Sequence, residues 1–469
     1  MSLPLSSIIL DGHQKPSCWL EMIKQPLPTP TPTPIRPGLL SFDEAMDRLL
    51  SAAAPVAGAE SVDTMQALQR ILADDIVSGL NVPPMDNTQM DGYALRAQDI
   101  SDRALPVSQR IPAGQVGSVL VPGTVARIFT GAMIPGGADT VVMQEQVEQL
   151  SAAHGDSPVM VLVKHQAKPG EWIRRAGEDI RVGATILRAG SLLSPQALGL
   201  AASVGVATVS VKPRVNVACF FTGDELAMPG ELLKPGAIYN SNRFVLVNAL
   251  RALGCEVRDL GIVPDTLAAT RAALRDAANG SDLILTSGGV SVGEEDHVKP
   301  AVEAEGELDM WQIAMKPGKP LAYGKVRRPG GESTKLTAPL TTTSSAMSTS
   351  ASSAHFIGLP GNPVSSWVTF LLFVKPFIRI LQGMTKENAQ THIRAITLRA
   401  DFNWPKADKR REFLRVCLNA NGGLDLFENQ SSAVLTSTVW ADGLLDNPSM
   451  QTITKGDMVR FIPLASLQQ

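Results

Sequence analysis

The fold is decided by one stretch of sequence, Asp282-Leu-Ile-Leu-Thr-Ser-Gly-Gly-Val-Ser-Val-Gly-Glu-Glu-Asp-His297. It opens with an unbroken apolar run, Leu283 to Leu285, which is typical of a strand buried on both faces of a parallel sheet. The run is followed by small polar residues and then by Gly288 and Gly289, which permit positive φ and let backbone N–H groups approach a ligand closely. The stretch therefore predicts a buried strand that ends in an anion-binding loop.

Three acidic residues lie near the end of the same stretch, Glu294, Glu295 and Asp296. A carboxylate beside an anion-binding loop is a suitable place for a divalent cation that shares a phosphate with the loop. The stretch is thus consistent with a phosphate or oxyanion site that includes a metal ion. An ordinary strand-to-helix turn capped by Ser is compatible with the same residues.

Length and composition indicate a globular protein of about three domains. The chain has 469 residues, of which 44% are hydrophobic and 19% charged, and its formal net charge is −3. The chain has no long runs of Lys and Arg, so its sequence does not favour nucleic-acid binding. We expect a cytoplasmic protein, since no basic segment precedes the short apolar run at the N-terminus and the cysteines are far apart, as in a reducing compartment. They are Cys18, Cys219, Cys255 and Cys417.

The first 211 residues divide into three regions. Residues 1–38 contain Pro26-Leu-Pro-Thr-Pro-Thr-Pro-Thr-Pro34, which favours a semi-rigid polyproline II tether, with a docking ligand for a proline-reading module as the alternative. Ser41-Phe-Asp-Glu44 predicts a capping box at the start of a helix that runs to about Ala53. A second short helix is predicted near residues 63–71, and short strands broken by Gly and Pro over 74–211.

Strands and helices alternate from about residue 214 to residue 381, which predicts a parallel sheet covered by helices on both faces. The predicted strands cover 215–221, 256–263, 283–285, 322–326 and 356–359. A low-complexity Ser/Thr segment between residues 328 and 353 predicts a mobile surface insertion. Short apolar runs after residue 390 predict a small barrel or sandwich.

Polar residues follow each predicted strand of this region. Thr222-Gly-Asp-Glu225, Pro264-Asp265 and Pro360-Gly-Asn-Pro363 come directly after three of them. Ligands of open α/β sheets bind outside the carboxyl ends of the strands. If the ends converge, Glu225, Asp265 and Asp296 form a hard-oxygen site suited to Mg²⁺. Each Asp taken singly is also a common turn or helix cap.

Two lysines lie on a proline-bounded turn, Met315-Lys316-Pro-Gly-Lys319-Pro320. Held there, they can meet a phosphate or a molybdate-like oxyanion, although a solvated turn has the same spacing. The chain has no G-x-x-x-x-G-K-[ST], G-x-G-x-x-G, H-E-x-x-H or C-x-x-C motif. The common signatures of P-loop, dinucleotide, zinc-protease and dithiol sites are therefore missing.

Seven motifs in order resemble one known family, the molybdopterin molybdenumtransferases, which include the E domain of gephyrin. They cover about residues 39 to 469, and seven in register are far more specific than any one of them. The motifs are Pro84-Met-Asp-Asn-Thr-Gln-Met-Asp-Gly-Tyr-Ala94, Ile128-Phe-Thr-Gly-Ala132, Arg174-Arg-Ala-Gly-Glu-Asp179, Thr222-Gly-Asp-Glu225, Thr286-Ser-Gly-Gly-Val-Ser-Val-Gly293, Lys316-Pro-Gly-Lys319 and Gly358-Leu-Pro-Gly-Asn-Pro363.

The resemblance implies a multi-domain α/β and β architecture. A helical and irregular domain would join residues 39–81 to 182–212, with a β-rich domain over 82–181 between them. A central α/β, molybdopterin-binding and Rossmann-like domain would span 213–389, including the Ser/Thr insertion over 328–353. A C-terminal β-barrel would occupy 390–469, and residues 1–38 would be a disordered Pro/Thr-rich extension.

The resemblance also assigns roles to individual positions. The implied catalytic residues are Asp91, Thr130, Asp179, Asp296 and Lys316. The implied metal ligands are Glu225, Asp265 and Asp296. The implied substrate-binding residues are Arg174, Ser287, Gly288, Gly289, Ser291, Gly293, Lys319, Pro360, Gly361, Asn362, Pro363, Arg415 and Ser432.

The implied reaction uses adenylylated molybdopterin and molybdate, with Mg²⁺ as cofactor. It hydrolyses the phosphoanhydride, releases AMP and leaves molybdenum on the dithiolene to give the molybdenum cofactor. Members of this family are elongated homodimers with an active site shared between subunits, so Asp91, Thr130, Arg174 and Asp179 are expected to face the central domain of the other subunit. A separate molybdopterin adenylyltransferase is a conceivable partner, whereas no nucleic-acid or membrane partner is expected.

One departure and two alternatives qualify this interpretation. Gln312 stands where many relatives carry a lysine, which leaves the expected cleft one cation poorer. A gephyrin-like scaffold is one alternative, although the carboxylates of a catalytic site are all present. A molybdopterin adenylyltransferase is the other, although such enzymes resemble residues 213–389 only.

Overall fold

A computed structural model of the chain describes residues 39–150, 159–290, 296–329 and 352–465. The predicted extension over 1–38 and nearly all of the predicted insertion over 328–353 lie outside these residues. Ser291 and Gly293, both implied ligand contacts, also lie outside them.

The helices are α1 Phe42–Ser51, α2 Pro195–Ser203, α3 Ser241–Ala252, α4 Leu267–Ala278, α5 Val298–Glu305, α6 Pro363–Leu381, α7 Lys386–Ala389 and α8 Thr436–Trp440. The strands are β1 Leu39–Leu40, β2 Glu60–Asp63, β3 Ile76–Val77, β4 Asn87–Thr88, β5 Gly92–Leu95, β6 Leu105–Ile111, β7 Val125–Ile128, β8 Thr140–Met143, β9 Val147–Leu150, β10 Met160–Val163, β11 Ile173–Arg174, β12 Thr185–Leu187, β13 Thr208–Val211, β14 Asn216–Thr222, β15 Leu226–Ala227, β16 Ile238–Tyr239, β17 Glu256–Val263, β18 Leu283–Ser287, β19 Gly306–Ile313, β20 Met315–Lys316, β21 Pro320–Arg327, β22 Ser353–Leu359, β23 Ile396–Arg399, β24 Arg411–Leu418, β25 Leu424–Leu426, β26 Gly443–Asn447 and β27 Met458–Pro463.

A seven-stranded sheet forms the centre of the molecule, in the order β1-β19-β21-β22-β18-β14-β17. The strands β22, β18, β14 and β17 are parallel, whereas β21 runs antiparallel to both of its neighbours. The prediction of a parallel sheet was therefore wrong for β21. The short connection after β19 returns the chain beside it as a hairpin, and a parallel neighbour would need a longer crossover.

Helices cover both faces of this sheet, as predicted. Successive residues of β14 alternate between two cores: Val217, Cys219 and Phe221 pack with α1, α3 and α6, and Ala218 and Phe220 pack with α4 and α5. The alternation follows from the two-residue period of a strand. All five are at most 1% exposed, so this strand has no solvent face.

The long helix α6 packs against one face of the sheet and contains a π-helical turn over Phe370–Val374. Among the described residues, α6 is the one helix long and apolar enough to cross a membrane by length and composition. Of its most apolar window, 94% is buried inside the protein. This burial makes α6 the core helix of the central unit.

The segment 39–51 belongs to the central unit, whereas the resemblance grouped it with the helical domain. The pair Leu39–Leu40 adds a strand beside β19. The predicted capping box between Ser41 and Glu44 is confirmed at the start of α1. Phe42, the first residue of α1, lies against Phe373 and Phe413, with ring centroids 5.0 and 5.3 Å apart. Burying this apolar face draws the segment away from the residues that follow it.

The second predicted helix, near residues 63–71, was wrong. Strand β2 ends at Asp63 and pairs with β13. A single 3₁₀ turn, Thr64–Gln66, follows, and the Asp63 carboxylate caps it by accepting from the backbone N–H of Met65 at 2.7 Å. Pairing with a distant strand outweighs the local helical pattern here. A local window of sequence does not contain the partner strand and so cannot predict the pairing.

A separate six-stranded sheet, β8-β5-β7-β6-β10-β9, lies between these segments and carries two apolar cores of its own. The pairs β2/β13 and β3/β12 pack with α2 around a further core. These two units correspond in position along the chain to the β-rich and helical regions that the sequence indicated.

The C-terminal strands close into a small barrel. Strands β24, β26, β27 and β23 are neighbours in one antiparallel sheet, and β25 pairs with the other edge of β24. A bridge between Ala400 and Leu424 then joins the end of β23 to β25. The short strand β20 of the central unit pairs with β24 and ties the barrel to the central sheet.

Candidate functional site

A cavity of about 730 Å³ lies at the carboxyl ends of β14, β18 and β22. Its walls come from the loops that follow these strands, from Asp265 after β17, from the lysine turn, and from Arg410 and the segment 430–432 of the barrel. Since the three strands are parallel and adjacent, loops distant in sequence meet at one edge of the sheet. The predicted site residues that line this cavity are Glu225, Asp265, Gly288, Gly289, Asp296, Lys316, Lys319, Pro360, Gly361, Asn362 and Ser432.

The glycine loop after β18 packs directly on the end of β14. Gly288 and Gly289 have φ of +101° and +63°. A Cβ on Gly288 would lie 2.7 Å from the carbonyl oxygen of Thr222, and one on Gly289 would lie 2.9 Å from the Thr222 hydroxyl oxygen. Both positions therefore need glycine for conformation and for space.

Ser287 holds two loops of the cavity together. It is 2% exposed and does not line the cavity. Its hydroxyl donates to the carbonyl oxygen of Pro360 at 2.9 Å and accepts from the side-chain amide of Asn242 at 2.9 Å. Asn242 also donates to the carbonyl oxygen of Gly361 at 2.7 Å. Ser287 therefore supports the two loops, and its implied contact with substrate stays a prediction. Asn242 lies in the first turn of α3 and was not among the predicted site residues.

Pro363 begins α6 directly behind the loop 360–362, at the first helical position, where a missing N–H costs nothing. Pro363 does not line the cavity, whereas Pro360, Gly361 and Asn362 do.

Carboxylates from separate strand ends gather on one side of the cavity. Burial is the main cause that raises the pKa of Asp265 above its ordinary value; His297 opposes this effect, and the negative charges of Asp224, Asp296 and Glu225 add to it. Among the described residues, no partner donates to the buried Oδ1 of Asp265. This corner therefore carries negative charge that the protein itself does not fully compensate.

These carboxylates do not enclose an ion by themselves. Within the described ranges, no three His, Cys, Asp or Glu side chains are grouped closely enough to hold a metal. Glu225, Asp265 and Asp296 nevertheless line one cavity. The donor set is of the hard-oxygen type that Mg²⁺ prefers, and Mg²⁺ commonly takes only one or two protein carboxylates beside substrate oxygens.

Lys316 and Lys319 stand on the cavity wall in different surroundings. The ammonium group of Lys316 lies 3.0 Å from Glu412 Oε1 and 3.7 Å from Asp408 Oδ2. Lys319 is exposed. Arg410 is a further cation of the wall, and its guanidinium makes two hydrogen bonds with Asp408 at 3.0 and 2.8 Å. The sequence analysis did not single out Arg410, which lies in a charged run, 408–412, that has no motif of its own.

Arg415 and Ser432 differ from each other in placement. Ser432 lines the cavity, but Arg415 is 1% exposed and does not. The guanidinium of Arg415 donates to the carbonyl oxygen of Ser431 at 3.1 Å and to the Ser437 hydroxyl at 3.2 Å. Burial lowers its pKa to about 10. Arg415 shares the face of β24 that carries Phe413, opposite the face on which Leu414 and Val416 pack in the barrel core, and there it supports the segment 430–432. Its implied contact with substrate stays a prediction.

The upstream residues lie in the six-stranded unit and do not line this cavity of the same subunit. Asp91 Oδ1 accepts from the hydroxyl and the backbone N–H of Thr130 at 2.7 and 2.8 Å, which lowers the pKa of Asp91. Arg174 ends β11 and Asp179 follows it, and both side chains are exposed. Their predicted role across a subunit boundary stays a prediction.

Comparison with known proteins gives a consistent result along the chain. Family models match in order: MoeA N-terminal region (domain I and II) over residues 40–205, a probable molybdopterin binding domain over 218–380, and MoeA C-terminal region (domain IV) over 397–464. The chain is 39% identical to a molybdopterin molybdenumtransferase of Haemophilus influenzae, over 80% of this chain and 85% of that protein. It is 36% identical to molybdopterin molybdenumtransferase 2 of Mycobacterium tuberculosis, over 83% and 90%.

A solved structure agrees with these matches. The crystal structure of a molybdopterin biosynthesis MoeA protein from Pyrococcus horikoshii OT3 superposes with a TM-score of 0.72 at 26% identity. The alignment covers 90% of this chain and 99% of that one. The similarity therefore extends over all the described units rather than the central one alone.

Replacing Gly288 by Ala is expected to destabilise the protein by at least about 2 kcal/mol, because strain at positive φ adds to a clash with Thr222. Urea unfolding measures the loss. Gly280→Ala is the matched control, since Gly280 also has positive φ, +82°, but no atom lies within 4 Å of its Cβ position. The control should lose only about 1 kcal/mol. Equal losses in the two variants would show that contact with Thr222 does not constrain the loop.

Proposed function

We infer the function from the family, because the chain belongs to the MoeA family of molybdopterin molybdenumtransferases. The proposed reaction inserts molybdenum from molybdate into adenylylated molybdopterin and releases AMP. One observation carries the proposal: a single cavity joins a glycine loop, carboxylates and cations from five separate parts of the chain. That combination suits a substrate with several negative charges and a metal ion between its phosphates.

Two kinds of groups would bind the substrate. Backbone N–H groups of Gly289, Gly361 and Asn362 would face phosphate oxygens, since these residues line the cavity. Lys316, Lys319 and Arg410, which line the same cavity, would neutralise phosphate or molybdate. The cavity of about 730 Å³ falls within the usual range for organic ligands.

The chemistry has two parts. Hydrolysis adds one water across the phosphoanhydride, so the P–O–P bridge breaks and AMP leaves. The two dithiolene thiols then form Mo–S bonds to molybdate, and their two protons leave with one molybdate oxygen as water. The protein's own residues would orient the phosphoanhydride and stabilise the negative charge that develops on its oxygens.

Mg²⁺ is the proposed cofactor. Asp265 and Asp296 would hold it with Glu225, because their mutual repulsion and the unpartnered Oδ1 of Asp265 favour a cation at this corner. When bound, the ion supplies Lewis-acid polarisation of the phosphoanhydride.

A homodimer with a shared site is part of the proposal. Asp91, Thr130, Arg174 and Asp179 do not line the cavity of their own subunit, as a site completed by a second subunit requires. The proposed location is the cytoplasm. A separate molybdopterin adenylyltransferase would supply the adenylylated substrate.

The proposed reaction is tested by AMP release. The purified protein is expected to release AMP from adenylylated molybdopterin when molybdate and Mg²⁺ are added. Asp296→Asn should slow the release by about 100-fold or more, because one charged ligand of the reacting centre is lost. Chromatographic quantification of AMP measures both.

Asp309→Asn is the control for this experiment, since Asp309 is an exposed residue of β19 away from the cavity. It should keep the wild-type rate. A folded wild-type protein that releases no AMP would exclude the reaction, and an unaffected Asp296→Asn variant would exclude the assignment of that residue.

Protonation of Asp265 is expected to weaken Mg²⁺ binding. Since its pKa is raised, Asp265 takes up a proton at a higher pH than an ordinary aspartate. Binding should be full above the raised pKa and fall as the pH drops through it. Calorimetric titration with Mg²⁺ over a pH series measures this dependence.

Asp265→Asn separates the two effects of this carboxylate. The ionised group destabilises the fold, because its pKa is raised in the folded state, so the variant should unfold at a higher temperature at neutral pH. It should bind Mg²⁺ weakly at every pH and lose the pH dependence. A pH dependence that persists in the variant would assign it to another group.

The shared site is tested by mixing two inactive variants. Asp91→Ala and Asp296→Ala are each expected to be inactive as homodimers. Random mixing after subunit exchange makes half of the dimers heterodimers, and each would regain one intact site of two, giving about one quarter of the wild-type rate. The rate of AMP release measures the recovery. If both residues act within one subunit, the mixture stays inactive.

A further inference from the structure

The barrel and the central unit meet at the cavity through a short parallel strand pair. Met315 lies opposite Arg411 and Lys316 lies opposite Glu412. This pairing places a lysine of the cavity wall beside a carboxylate of the barrel. The position of that lysine therefore depends on a unit that lies outside the central fold.

The lysine and the carboxylate differ sharply in exposure. The Lys316 side chain is 36% exposed and reaches the cavity, whereas the Glu412 side chain is 1% exposed. Their charged groups are 3.0 Å apart. A buried carboxylate next to a half-exposed ammonium has lost its water and has few alternatives to that partner.

Glu412 is itself held in a fixed orientation. Its Oε2 accepts from the indole N–H of Trp404 at 2.8 Å and from the side-chain amide of Asn447 at 3.2 Å. Its Oε1 accepts from Lys316. One oxygen thus anchors the carboxylate in the barrel, and the other is presented to the cavity wall. The Lys316 ammonium also lies 5.7 Å from the centre of the Trp404 ring.

We propose that Glu412 is a positioning residue for anion binding: it holds the ammonium of Lys316 at the cavity wall before the oxyanion arrives. The inference rests on the proposed function, because it takes an oxyanion as the ligand of this wall. A free lysine side chain loses rotamer entropy when it binds an anion, whereas a lysine that is already held loses less. An ammonium has three donors, so one can stay with Glu412 while another meets the ligand.

A second pair of the same kind lies beside the first. Arg410 lines the cavity, and its guanidinium is held by two hydrogen bonds to Asp408. Asp408 also lies 3.7 Å from the Lys316 ammonium. Two cations of the cavity wall, Lys316 of the central unit and Arg410 of the barrel, thus each lie beside a barrel carboxylate. This pattern fits a preorganised anion-binding wall.

Two other roles of Glu412 predict different effects on anion affinity. If the carboxylate merely neutralised Lys316, it would compete with the anion, and its removal would tighten binding. If it only stabilised the barrel, its removal would lower stability without a specific effect on the anion. Anion affinity and stability therefore separate the three roles.

The test compares Glu412→Gln with Asp446→Asn in the full chain. Asp446 is a matched control: it is a carboxylate of the same barrel, 1% exposed, that pairs with Arg411 and Arg460 and does not line the cavity. Both variants are expected to lose thermal stability. Only Glu412→Gln should weaken binding of molybdate, measured by equilibrium dialysis without the pterin substrate, by about tenfold.

Two further measurements make the role specific. In the AMP-release assay, Glu412→Gln should raise the KM for molybdate more than it lowers kcat. In a double-mutant cycle, adding Glu412→Gln to Lys316→Ala should cost no further affinity, because the two side chains act as one unit. Additive losses would show that Glu412 acts by another route.

The outcomes also separate this inference from the proposed function. Unchanged or tighter molybdate binding by Glu412→Gln overturns the positioning role while the function stands. An equal loss of molybdate affinity in Asp446→Asn would show that the effect comes from barrel stability, and it would likewise overturn the positioning role. A wild-type protein that binds no molybdate and releases no AMP contradicts the function itself and the inference with it.

Discussion

Parallel pairing of β14, β18 and β22 is the constraint on which the site depends. It brings the carboxyl ends of three strands to one edge of the sheet, although the strands are separated by tens of residues or more in sequence. The glycine loop can then lie against Thr222, and Ser287 can bind the turn at 360–361. Without this register, the motifs after each strand would be unrelated surface turns.

Charges of both signs line the same cavity. The carboxylates come mainly from the strand ends of the central sheet, and burial together with their negative charges raises the pKa of Asp265. The cations Lys316 and Arg410 each lie beside a barrel carboxylate. A polyanionic substrate with a bound cation can therefore meet protein charges of both signs in this cavity. The barrel contributes to the site by holding these cations rather than by many direct contacts.

Local patterns in the sequence were reliable where one element is decided by its own residues. The capping box of Ser41 and Glu44 starts a helix as predicted, and the apolar run at 283–285 forms a strand buried on both faces. The same reasoning failed near residues 63–71, where β2 pairs with a strand more than a hundred residues away. It also failed for β21, whose direction is set by the hairpin with β19. Long-range pairing has no local signal, since the partner lies outside any window.

The sequence alone determined the family and the alternation of strands and helices. It also determined most of the residues that line the cavity, because glycines and carboxylates that together follow several buried strands are typical of a ligand site. Only the tertiary structure decided what each polar residue does there. It buried Arg415 and Ser287 as supports, and it revealed Asn242, Arg410 and Glu412, which belong to no recognisable motif. The physical reason is that a side chain's role depends on what surrounds it, and the neighbours of Lys316 come from a barrel about a hundred residues further along the chain.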